Sequence, residues 1–268
     1  MSMSTTRLCA WSGIVATVIW VLGFFVISGF IPAPSPSNNA VQIAEIFRGS
    51  PNQIRLGLII TCFGACLVVP WAVAITVCMK RMEGRYHPLA DCNLVLGCLL
   101  LIEFCFPIFA WEAATFRPER SDQMIQLLND LGWIPFMGMV FSVIPQAMAI
   151  AMVIFKDKRE VPIFPRWVAY LNLWFLATML PGSILSFFHF GPFAWNGVLT
   201  FWVAMVGYVS WTLVMSWATI KATYRLERED AELSIMSDSP DLEIVRRTDA
   251  LSAELRELRA ELTPSVTR

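Results

Sequence analysis

Residues 167–220 contain no Asp, Glu, Lys or Arg. A single helix of that length would run about 80 Å, against a bilayer core of about 30 Å, so the segment must cross, turn and cross again. The turn is Gly191-Pro192-Phe193-Ala194-Trp195-Asn196-Gly197, where Gly and Pro break the pattern and Trp suits an interface. Residues 8–31, 56–79 and 131–155 are also charge-free and long enough to span, and 92–116 joins them with only Glu103 and Glu112 as charges.

The expected fold is all-α, a polytopic membrane bundle of six transmembrane helices over residues 1–220, with spans about 8–31, 54–79, 90–116, 131–155, 167–190 and 198–220. The first of these could instead be a secretory signal behind Arg7. Its apolar run exceeds the usual length, however, and no small-x-small cleavage site precedes Pro32, so a retained span is expected. Composition agrees with lipid as the solvent: 56% of residues are apolar and 15% charged, and mean hydropathy is +0.59. A net charge of −1 gives no basic face for nucleic acid.

Basic residues set the expected orientation. One set of loops carries Arg7, Lys80, Arg81, Arg85, Lys156, Lys158, Arg159, Arg166, Lys221, Arg225 and Arg228. The opposite set carries Arg48, Arg55, Arg117 and Arg120. Both termini are thus expected in the cytoplasm, with the chain in a bacterial inner (plasma) membrane.

On the outer side, prolines 32, 34 and 36 precede an interfacial helix over 38–48, with Val41, Ala44 and Phe47 on one face. Ser50-Pro51-Asn52-Gln53 reads as a capping box for the second span, and Ser121 as the cap of a short lid helix ending at Asp130. Residues 221–239 are acidic and polar, the composition of a flexible linker. Within 240–268, Ile244, Thr248, Leu251, Leu255, Leu258 and Leu262 repeat at four and three, with Glu254 and Arg259 beside them. This is an amphipathic or coiled-coil helix suited to a second copy or a membrane-complex partner through residues 244–262.

Chemistry is constrained mostly by what is missing. Two histidines, His87 and His189, cannot ligate a di-iron site or paired haems, and no phosphate loop or dinucleotide fingerprint occurs. The seven cysteines have neither clustered histidines nor a Cys-x-x-Cys pair and read as soft packing residues, so no cofactor and no metal is expected.

Glu103 is the leading candidate. It lies about 18 Å from the outer end of its span, where an ionised carboxylate is costly, so it should face the bundle or a wet cavity and hold or exchange a proton. Gln146 on the fourth span is its depth-matched partner, with Pro107 and Pro145 loosening the backbone nearby. Nearer the outer boundary, Glu112 beside Trp111, with Arg55, Arg117, Asp130 and His189, form a candidate polar vestibule or a set of interface anchors. Glu103 and Glu112 are nine residues apart and point in opposite directions on a straight helix. Most tryptophans are expected in interfacial belts, and Trp174 and Trp202 deeper, lining a lipophilic pocket or packing the core.

Leu128-Asn129-Asp130-Leu131-Gly132-Trp133, Phe164-Pro165-Arg166-Trp167 and the 191–197 turn resemble short signatures of uncharacterised bacterial multi-pass membrane proteins. That resemblance covers residues 1–220 and implies no activity and no functional residue. The expected function is binding or transport of a small lipophilic solute through a cavity near Glu103 within the lipid bilayer, with proton exchange. The alternatives are an assembly subunit using its C-terminal helix, or an intramembrane acid–base isomerase or cyclase.

Overall fold

The computed structural model describes residues 3–138, 140–237 and 250–258. Among these there are helices and no strands, and six helical segments are long and apolar enough to cross a membrane: Met3–Ile27, Pro51–Glu83, Pro88–Phe116, Asp122–Lys156, Arg166–Phe187 and Val198–Ile235. The protein is a multi-pass helical membrane bundle. It divides into two units, residues 1–223 and 224–268.

In the first unit, α1 (Met3–Trp20) continues as a π-helical stretch, Val21–Ile27, and α2 (Ala40–Gly49) follows as a short helix at the end of the bundle. The second span comprises α3 (Pro51–Cys66) and α4 (Val68–Glu83), and the third is the single helix α5 (Pro88–Phe116). The fourth comprises α6 (Asp122–Gly138) and α7 (Val143–Lys156). The fifth, α8 (Arg166–Met179), ends in a 3₁₀ stretch, Leu180–Phe187, and the sixth opens with π-helical turns, Val198–Val203, before α9 (Ala204–Ser237).

Both interruptions in mid-span have a proline three residues beyond them. Pro70 has no N–H to offer the preceding turn, and the Trp71 N–H reaches the Leu67 carbonyl at only 3.5 Å. The Ser12 hydroxyl on the first span donates to that same carbonyl at 2.9 Å, so the first span repairs the second. Pro145 plays the corresponding part in α7.

Without water to drive helices together, membrane spans associate by close packing, and small residues permit it. Gly23 and Gly57 let the first two spans touch through their backbones. A Cβ on Gly57 would lie 2.3 Å from the Ser28 nitrogen and 2.6 Å from the Gly23 oxygen. Next to this contact is an aromatic core, in which Phe24, Phe30, Trp111, Trp133 and Phe136 pack with ring centroids 4.8–6.0 Å apart. A second group stacks Phe175 on Trp211 at 4.3 Å, with Trp71 edge-on at 5.1 Å.

Several local expectations change. The capping box is at Asn39 and Gln42, which exchange bonds of 3.0 Å at the start of α2, whereas the Ser50 side chain makes no cap bond; Pro51 does open α3. The buried face of α2 is Ile43, Ala44 and Phe47, with Val41 turned outward. Ser121 accepts from the Met124 N–H, but the helix it caps runs unbroken through Gly138, so there is no separate lid over 121–130. Asp130 lies in the middle of α6, and nothing stops the helix there.

The second unit was expected to begin as a flexible linker. Instead α9 stays helical to Ser237, with Arg225 and Glu229 paired at 2.8 Å one turn apart. Residues 250–258 are helical and Leu251, Leu255 and Leu258 are exposed. Ile244, Thr248, Arg259 and Leu262 of the expected seam lie outside the described residues.

Candidate functional site

α7 begins in mid-span, so its first N–H groups have no intrahelical partner and lipid supplies none. Ser142 is its N-cap residue, yet the Ser142 side chain does not cap its own helix. The cap arrives from another span. Glu103 on α5 accepts from the Ser142 hydroxyl at 2.7 Å and from the Ser142 N–H at 3.3 Å. A carboxyl at the positive end of a helix is favourably placed, and it satisfies one of the orphaned donors.

Glu103 also borders a cavity of about 50 Å³ lined by five of the six spans, including Trp20, Phe104, Phe136, Met179 and Tyr208. That volume admits water-sized occupants and lies well below the ~300 Å³ of a ligand pocket. A void of about 10 Å³ beside it shares Trp20, Phe104 and Tyr208.

Gln146, the depth-matched partner, goes elsewhere. Its Nε2 donates to Asn93 Oδ1 at 3.2 Å, and Asn93 Nδ2 donates to Thr76 Oγ1 at 2.8 Å and to the Ala72 carbonyl at 3.3 Å. This second polar node ties spans two, three and four, while Gln146 Oε1 is buried without a partner. Ser142, one turn away, occupies the place beside Glu103 expected for Gln146.

The proposed vestibule separates into two places. Arg55 donates from Nε to Thr115 Oγ1 at 3.2 Å, from Nη1 to Asn52 Oδ1 at 3.2 Å, and from Nη2 to the Thr115 carbonyl. Glu112 lies near it, facing a groove between α3 and α5. Asp130, on the fourth span, accepts from Asn129 Nδ2 at 3.2 Å and has exposed His189 as a neighbour, while Arg117 is paired with Glu119 at 3.9 Å.

Trp111 is not an interface residue. It is fully buried in the aromatic core, its Nε1 without a partner, and its indole lies against Gly132, where a Cβ would come within 2.2 Å of that nitrogen. Trp133 and Trp211 are likewise fully buried, while Trp174 and Trp202 are 47% and 44% exposed on the bundle surface. Trp111, Trp133 and Trp211 thus pack the interior of the bundle, and Trp174 and Trp202 lie on its outer surface rather than lining a pocket or packing the core.

Sequence reading missed Ser142 and Asn93. Ser142 precedes Pro145 by three residues, the pattern of a helix start, and Asn93 is a strongly polar residue inside an apolar run; both signals were present. No family model, no curated protein and no solved structure matches this chain.

Proposed function

We propose that the protein binds a small lipophilic solute, or carries it across the membrane, through the cavity beside Glu103, with a proton exchanged at that carboxyl. The observation that carries this reading is the Glu103–Ser142 link. An intramembrane acid holds together the broken helix that lines the cavity, so the charge on the acid and the geometry of the break are coupled. Passage of a solute requires the break to widen, because the closed cavity holds only water-sized occupants. The eleven-to-four distribution of basic residues supports cytoplasmic termini in a bacterial inner membrane.

The test uses the fluorescent lipophile aminoanthracene with the full chain in nanodiscs, read by energy transfer from tryptophan. Saturable, pH-dependent binding is expected, reduced by Met179→Trp, which fills the cavity, and stripped of its pH dependence by Glu103→Gln. Binding indifferent to both substitutions removes the assignment.

A second reading is assembly through the C-terminal helix, favoured by the exposed Leu251, Leu255 and Leu258. Deleting residues 240–268 then lowers the mass of the complex, and an unchanged mass excludes the tail as the contact.

A further inference from the structure

Glu112 faces the opposite side of the third span from Glu103, into a groove between α3 and α5 with a volume of about 370 Å³. This is within the range of ligand pockets, whereas the Glu103 cavity is not. The walls are Ile59, Cys62, Phe63, Ile108 and Phe109, and Phe63 and Phe109 are 69% and 64% exposed, so the groove opens toward lipid. Its polar end is Glu112, whose Oε1 is buried with no hydrogen-bond partner. A buried acceptor left unpaired is destabilising, more so when charged.

The nearest cation acts on it only from a distance. Arg55 directs three of its five N–H donors to Thr115 and Asn52, and no ion pair joins it to Glu112 among the described residues, so its charge reaches the carboxyl without a hydrogen bond. The groove therefore combines an apolar trough with one under-compensated acid at its end. Glu112 lies about 6 Å along the axis from Phe116, and Cys66, the deepest wall residue, about 22 Å from Pro51, so the trough runs about 16 Å along the helices. Its shape and charge complement one kind of occupant.

We infer that this groove binds a single-tailed lipophilic amine, its ammonium donating to Glu112 and its alkyl chain lying between Phe63 and Phe109 toward Cys62. An ammonium supplies three donors and a positive charge in direct contact, an alcohol only a donor, and a carboxylate is repelled. The inference is independent of the reading at Glu103.

The probe is dodecylamine carrying a diazirine near its tail, photo-crosslinked to the full chain in zwitterionic nanodiscs. Labelling is expected on the Phe63 and Phe109 segments, competed about tenfold better by dodecylamine than by dodecanol, the difference expected of one charge-assisted bond. Glu112→Gln, checked for an unchanged thermal midpoint, lowers labelling by a similar factor and erases the preference for amine. Ile59→Trp fills the trough and abolishes labelling with Glu112 intact. Equal competition by dodecanol, or labelling untouched by Glu112→Gln, makes the groove an ordinary lipid contact and overturns the site. A dimer whose groove refuses every tail assigns it to a second copy and overturns the site equally.

Discussion

Glu103 and Ser142 are bonded twice across two spans, hydroxyl to Oε2 at 2.7 Å and backbone N–H to Oε1 at 3.3 Å, so that one helix supplies the N-terminal cap of another in the middle of the membrane. The first prediction concerns this cap. Glu103→Gln keeps an acceptor and costs little, whereas Glu103→Leu leaves both Ser142 donors orphaned and costs about 1–3 kcal/mol. Thermal unfolding in nanodiscs checks the order. Equal midpoints for the two variants deny the cap.

The Gly23–Gly57 contact is backbone against backbone, so it cannot yield by moving a side chain. Gly57→Ala is expected to cost about 1–3 kcal/mol or more by overpacking. Gly49→Ala, where nothing lies within 4 Å of the added methyl, is neutral or gains a few tenths from helix propensity. The same unfolding assay compares the pair.

Trp111 is buried inside the bundle and Trp174 lies on its surface. Trp111→Ala empties a fully buried site and is expected to cost about 3–5 kcal/mol. Trp174→Ala, on an exposed face, costs under about 1 kcal/mol. If Trp174→Ala proves the more damaging, the helices are rotated from the arrangement described.

Asn93 is the hub of the second polar node and Gln146 a spoke. Asn93→Leu removes three hydrogen bonds and Gln146→Leu one, together with an unpaired oxygen. Asn93→Leu should be the more destabilising, by about 0.6–2 kcal/mol. Matching midpoints contradict the hub.

Six crossings place the loop near Arg85 and the segment near Glu119 on opposite faces of the membrane. In a background without other cysteines, Arg85→Cys and Glu119→Cys are expected to react with an impermeant thiol reagent from opposite sides of sealed vesicles. Reaction of both from one side refutes the six-pass topology and every neighbour assignment with it.

Glu103 was legible as an acid facing inward, because a carboxyl near the middle of a span is costly against lipid, and the six spans were legible because crossing lipid takes long apolar segments. Its partner was not. A match in depth between Glu103 and Gln146 fixes height along the membrane normal and leaves the rotation of each helix free. Rotation is set by contacts such as Gly23 on Gly57 and Trp111 on Gly132, which join residues far apart in the chain. The Glu112 groove was equally hidden, since it exists only where α3 and α5 diverge.

The sequence by itself determined the number of the crossings, since each depends on the balance between one helix and its solvent. Only the tertiary structure decided that Ser142 meets Glu103, that Asn93 claims Gln146, and that Arg55 bonds Thr115 and Asn52. Those pairings depend on azimuth, which close packing of small residues and aromatic rings imposes on all six helices together.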